Sequence, residues 1–350
     1  MKYNSFFKLI FFGFICVFIA TSCTKEGPMG PAGTNGADGT DGTDGVDGNV
    51  TCLVCHSSDN IESIQGQFAM SVHRAGLVAV DYAGGRASCA KCHSHEGFVQ
   101  YAEFGEVMGN ITNPTAWKCN TCHGLHKTFE AQDYALRLND PVNPLYDPET
   151  TMDLMGNSNL CANCHQSRRA EPNMTNPGEE TFRISSTHYG PHHGAQANVV
   201  AGVGFAEIEG SVAYPEAGGS NHLNQASCTG CHMGTFDDGS GGHTWIPSLN
   251  ACNTCHGEDS EDFNYGGVQT DVHDKLVVLR DKLVALGVVE GDEEHGFHPV
   301  VGTYPMAQAR AFFNWVGLEE DRSLGVHNPK YVKALLINSI EALEEFEAQP

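Results

Sequence analysis

Hydrophobic and polar positions divide this chain into four unlike stretches. The first is short: Lys2 and Lys8 flank a polar start, and Leu9–Ala20 then runs almost wholly apolar. That run is too short and wrongly flanked for a transmembrane helix, so residues 1–22 read as an export signal. Residues 27–48 carry no apolar pattern; glycine recurs at every third position from Gly27 to Gly48. From about 50 to 265 no sustained helical or strand period appears, and Gly- and Asn-rich connectors predict extensive irregular loops. Beyond residue 265 the character changes. Leu276, Leu279, Leu283 and Leu286 recur at three- and four-residue spacing, an amphipathic helix that Gly287 helps to end. A second helix is expected around 307–316 after Pro305. A third starts after His327, with Pro329 at an early helical position and Val332, Leu335, Leu336, Ile340 and Leu343 on one face.

Cysteine supplies what the hydrophobic pattern lacks. Twelve of the 14 cysteines form six Cys-x-x-Cys pairs: Cys52/Cys55, Cys89/Cys92, Cys119/Cys122, Cys161/Cys164, Cys228/Cys231 and Cys252/Cys255. Each pair is followed at once by a histidine: His56, His93, His123, His165, His232 and His256. Zinc ribbons and redox dithiols also use Cys-x-x-Cys, but neither requires histidine at that one position. Cys-x-x-Cys-His is the attachment signature of c-type haem: the thiols add to the porphyrin vinyl groups and the histidine becomes the proximal iron ligand. Six covalently attached haems are therefore expected in the region 50–265. They would supply much of the apolar contact in place of a single conventional core. Successive motifs start 37, 30, 42, 67 and 24 residues apart. The short intervals leave no room for separate domains, so neighbouring haems are expected to share walls; the 67-residue interval is the exception.

Low-spin transfer haems take a second axial side chain. Among the twelve other histidines, His73 lies in SVHRAGL on a predicted helix, His126 closes CHGLH, His222 and His243 precede the last two motifs, and His327 opens the final helix. The long interval holds His188, Tyr189, His192 and His193 within six residues, with Arg168, Arg169 and Arg183 nearby. Two readings stand. Either one of these histidines, taken as His192, is the sixth distal ligand, or one iron keeps an open position that His188, Tyr189, His192, His193 and Arg168 surround as a catalytic site. His95, His295 and His298 read as surface or propionate-contacting residues.

The chain resembles the multihaem c-type cytochromes of the group that includes ammonia-forming nitrite reductase, hydroxylamine oxidoreductase and the octahaem cytochromes. Six attachment motifs, the CHGLH unit and the ending DRSLGVHNPKYVKALL carry the likeness, over about 50–260 and 304–340. The resemblance implies a mainly α fold with extensive irregular loops, its haem stack covered by a C-terminal helical bundle (266–350). It also implies that the second histidine of CHxxH ligates a neighbouring haem and that His327 is a ligand. The Cys-x-x-Cys-Lys site of the pentahaem nitrite reductases is absent, since all six motifs end in histidine.

The export signal ends Ala20-Thr21-Ser22-Cys23, similar to a bacterial lipobox, so Cys23 is expected to carry the lipid of a membrane-anchored protein that spans nothing. Thr24, rather than aspartate, fits sorting to the outer membrane. Haem attachment outside the cytoplasm agrees with export. Segment 23–49 would be anchor and tether: a flexible acidic spacer, or a collagen-like stem making a homo-oligomer. Fully extended, its Gly-x-y part reaches some 70 Å at about 3.1 Å per residue. A formal charge of −24 excludes nucleic acid as a partner. The expected function is electron transfer along a bis-histidine haem chain. The partners would be cytochromes, reductases, quinol-linked donors or extracellular acceptors. The alternative is a reductase or oxidoreductase of nitrogen or sulfur oxyanions.

Overall fold

The computed structural model describes residues 56–126, 135–234, 240–257 and 261–348. Cys23, the Gly-x-y segment, Cys52 and Cys55 lie outside the described residues. No described helix is long and apolar enough to cross a membrane.

The first half is a succession of short helices joined by irregular chain: α1 (Ser58–Met70), α2 (Val72–Ala75), α3 (Ala87–His93), α4 (His95–Phe104), α5 (Cys119–Cys122), α6 (Asn159–Ala162) and α7 (Pro172–Thr175). After strand β1 (Thr181–Ile184) come α8 (Gln196–Ala201), α9 (Asn221–Gln225), α10 (Ser227–His232) and α11 (Leu249–His256). The second part is α12 (Val268–Ala285), a hairpin of β2 (Val289–Asp292) and β3 (Gly296–Pro299), β4 (Gly302–Pro305), α13 (Met306–Asp321) and α14 (Pro329–Glu347).

Helices α12 and α14 follow the predicted periodicity. Along α12 the buried side chains are Val272, Leu276, Leu279 and Leu283, and along α14 they include Val332, Leu335, Leu336 and Leu343. Asn328 caps α14 by accepting the Tyr331 amide hydrogen at 3.4 Å, and Pro329 occupies the first turn, where no amide donor is needed. Helix α13 runs five residues past Val316, because Gly317, Leu318 and Asp321 stay buried. Arg322 then turns the chain through a left-handed conformation.

A conventional core does exist, contrary to the sequence expectation, and it sits in this bundle. It joins α12, α13 and α14 to residues 182–208 from the 67-residue interval, with Phe182, Ile184 and Phe205 packed among Leu279, Phe312, Phe313, Tyr331 and Leu335. Antiparallel pairing of β1 with β4 ties the two segments together in the register Thr181↔Pro305 to Ile184↔Gly302. Two buried asparagines complete the join. Asn314 donates to the Ala206 carbonyl and accepts from its amide, both at 2.8 Å, and Asn338 does the same with Val212 at 2.9 and 3.0 Å. Each satisfies backbone groups that would be costly to bury alone. A second, smaller cluster of Val142, Met152, Leu154, Ala162, Ala197, Val200, Ala201 and Leu223 backs the motif helices.

Away from the bundle, carboxylates do part of the holding. Glu96 on α4 accepts from the Thr115 amide at 2.8 Å and from its hydroxyl at 2.6 Å. Burial pushes its pKa up, but the two Thr115 bonds outweigh it and the net shift is downward from 4.5. A depressed carboxylate contributes stability that is complete above the unfolded value and lost as pH falls through the folded one. Glu96→Gln is therefore expected to lower stability at neutral pH and to flatten the loss of stability below about pH 4.5, read from denaturant unfolding across pH 3–7.

Candidate haem-binding site

In a helical turn, residues i, i+3 and i+4 share one face. Cys-x-x-Cys-His on a helix therefore presents both thiols and the imidazole to the same side. Four of the described motifs fall within or at the end of such turns, in α3, α5, α10 and α11; the fourth motif runs on from α6, with the His165 amide donating to the Cys161 carbonyl at 2.9 Å. Close approach of two helices at the second motif depends on Gly97, because a Cβ there would lie 2.3 Å from the Ala90 carbonyl oxygen.

All five described motifs, and His56 of the first, open onto one cavity of about 2880 Å³. That is roughly three times the upper end of an ordinary small-ligand pocket. Its lining includes all six motif histidines, all ten described motif cysteines, and His73, His126, His192, His222, His243 and His327. The histidines are arranged in pairs. His56 faces His126 with ring centres 6.0 Å apart, His93 faces His192 at 6.0 Å, and His123 faces His243 at 6.3 Å. His165 faces His73 at 6.2 Å, His232 faces His327 at 6.4 Å, and His256 faces His222 at 6.1 Å. Two imidazoles on opposite sides of one metal, with bonds of about 2.0–2.1 Å and ring centres about 1.1 Å beyond each nitrogen, would stand about 6.3 Å apart. The spacing fits one iron between each pair.

Hydrogen bonds fix the tautomer where they are made. Nδ1 of His222 bonds the Val326 carbonyl at 2.5 Å, and Nδ1 of His232 bonds the Trp245 carbonyl at 2.9 Å. A carbonyl only accepts, so both Nδ1 atoms carry the proton and Nε2 keeps its lone pair for a metal. His165 Nδ1 meets Gln196 Oε1 at 3.1 Å. His327 Nδ1 meets the buried Asp321 carboxylate at 2.7 Å. Burial alone would lower the pKa of His327, but Asp321 more than offsets it and the net shift is upward. His73 is lowered to about 4 by burial and then by His165, and His192 to about 4 by burial and then by Arg168. Both imidazoles are thus neutral at physiological pH, the form a metal ligand requires. Positive φ angles at His126 (56°) and His192 (102°) place two of these rings through backbone that non-glycine residues seldom adopt.

Among the described residues, no three His, Cys, Asp or Glu side chains converge as a tetrahedral zinc site would need.

The cluster at 188–193 comes apart in three dimensions. Tyr189 is buried among Phe182, Phe312 and Phe313 beneath the Arg169 guanidinium, in the bundle core. His188 and Arg183 are exposed. His193 pairs with Glu320 at 2.7 Å. Only His192, His193 and Arg168 reach the cavity wall. His95 bonds Thr121 Oγ1 at 2.7 Å, His295 pairs with Asp292 at 2.9 Å, and His298 is exposed. Sequence reasoning passed over Trp245, whose ring meets His73 at 4.7 Å and His243 at 5.5 Å; its unusual backbone, with φ of 56°, has no local sequence signal.

No family model matches this chain, and no curated protein matches it. Among solved structures, the outer cell wall cytochrome OcwA shares its fold, with a TM-score of 0.51 and 17% identity over 80% of this chain. The chain spans about half the length of that protein, 50% of it being covered. The fold is a multihaem cytochrome fold, mainly helical with irregular loops and little sheet.

Gly97→Ala is expected to force α3 and α4 apart, at a cost of about 1–3 kcal/mol from overpacking, read as a lowered denaturation midpoint of the holoprotein.

Proposed function

We propose that this protein is a hexahaem c-type cytochrome that carries electrons outside the cytoplasm, each iron held between two imidazoles. The observation that carries this reading is the set of six facing imidazole pairs, one for every attachment motif, around a single cavity. In each pair the motif histidine is the proximal ligand and the facing one the distal ligand. When bound, each haem supplies a one-electron iron couple.

The chain's own residues set how those couples behave. A second imidazole in place of methionine lowers the potential. Asp321 raises the basicity of His327, which favours the ferric state at that site. Backbone carbonyls of Val326 and Trp245 hold His222 and His232 in orientation, so little rearrangement accompanies electron gain or loss. The facing imidazole on every motif histidine supports the carrier over an oxyanion reductase, which would need an iron with an open position.

An export signal, Cys23 as the lipid-bearing residue and the tether at 27–48 support a protein anchored to the outer membrane, on its periplasmic or cell-surface side. Redox proteins or extracellular acceptors are the partners this location implies.

Two measurements test the reading. The oxidised holoprotein is expected to hold six haems per chain and to give only low-spin iron signals in EPR, unchanged by cyanide; one high-spin iron that shifts with cyanide would favour the reductase instead. Cys23→Ser is expected to move the protein from the membrane fraction to the soluble fraction after export, and retention on the membrane would remove the lipid anchor.

A further inference from the structure

Contacts other than the axial pairs place the sites relative to one another, and they do not follow chain order. The fourth motif lies against two other motifs. It packs reciprocally with the second, with Cys92 Sγ 3.5 Å from the Asn163 carbonyl and Cys164 Sγ 3.9 Å from the Lys91 carbonyl. It meets the fifth just ahead of Cys161, where Ser158 Oγ lies 3.1 Å from both the amide nitrogen and the hydroxyl of Thr229, the residue after Cys228. A thioether bonds each sulfur to the edge of a porphyrin, so motifs packed in this way bring their porphyrin edges close together.

The third neighbour is reached on the distal side. The Trp245 ring lies between His73, which faces His165, and His243, which faces His123, at 4.7 and 5.5 Å. A bulky residue held at φ of 56° is a marked backbone outlier, and here it wedges an aromatic ring between ligands of the third and fourth sites. The fifth site adjoins the sixth, because α9, just ahead of Cys228, carries both His222, which faces His256, and Gln225, whose Oε1 lies 3.8 Å from Cys255 Sγ. The first adjoins the third, because His126 stands three residues after His123.

We propose that the fourth site, built from Cys161, Cys164, His165 and His73, is a three-way junction joining the second site, the third-and-first pair and the fifth-and-sixth pair. This rests on the hexahaem reading above. An electron crossing it turns one ferrous iron ferric in the arm it leaves and one ferric iron ferrous in the arm it enters. No bond forms or breaks and no proton moves. The first donor is a reduced redox protein and the last acceptor an oxidised one. The protein then has three ends at which partners can exchange electrons, where a line of six would have two.

The test counts neighbours. In His73→Gly holoprotein, with imidazole supplied during folding and then removed, the fourth iron is held ferrous by carbon monoxide or ferric by cyanide while the other five are poised ferric and read by EPR. Both complexes carry the same net charge, but the low-spin ferric one is paramagnetic and the ferrous carbonyl is not, so the change of spin alters the signals of neighbouring irons. The junction expects three of the five signals to differ between the two conditions; two would be the count for a line in chain order and would overturn it. The same comparison in His192→Gly, where the second iron is locked, expects one altered signal, and two would overturn the junction. Wild-type holoprotein without six low-spin irons would sink the electron-transfer reading as well, whereas a count of two with six low-spin irons sinks the junction alone.

Discussion

Everything in the first part of this fold depends on bringing imidazoles that are far apart in sequence to a separation of about 6 Å. The six pairs join residues 34 to 120 positions apart. Closing loops of that length costs conformational entropy, and the cost grows only slowly with length. Short helices and irregular chain between the motifs suffice, because their task is to carry each ring to its partner. The regular packing that an ordinary domain needs is delegated to the bundle, where α12, α13 and α14 bury a continuous apolar core.

The division between these parts is less clean than the hydrophobic pattern suggests. Residues 182–208 lie between the fourth and fifth motifs, yet their apolar side chains belong to the bundle core and β1 pairs with β4. This accounts for the 67-residue interval: the chain leaves the cavity, contributes a strand and several aromatic side chains to the bundle, and returns. His327 runs the other way, delivered from between α13 and α14 into the cavity wall and fixed by Asp321 at the end of α13.

Local features of this architecture were legible before the structure, and pairings were not. Periodicity marked α12 and α14 because an amphipathic helix writes its buried face at fixed spacing. The attachment motifs were legible because covalent chemistry demands a contiguous pentapeptide. His73, His126, His192, His222, His243 and His327 could be picked out by their positions near motifs or helix starts, and these are the rings that face the motif histidines. Which faces which is a matter of long-range topology, and nothing local distinguishes His243 as the partner of His123 from any other choice. The grouping of His188, Tyr189, His192 and His193 left two readings open for the same reason. Four residues within six positions looked like one site, but the left-handed turn at His192 sends that ring to the cavity while Tyr189 enters the bundle core.

The order of the pairs along the chain also carries a timetable. A polypeptide emerges from its N-terminus, and on the axial pairing proposed above the partners of His56, His93, His123 and His232 all come later in the chain than the histidines they face. His73 and His222, by contrast, precede His165 and His256. The fourth and sixth sites can therefore close as soon as their own motifs emerge, whereas the fifth must wait until His327 has cleared, 95 residues after His232. Docking of the C-terminal bundle, which holds His327 beside Asp321, then closes the last of the six sites. A chain stalled before that point would be left with a five-coordinate iron open to any small ligand nearby.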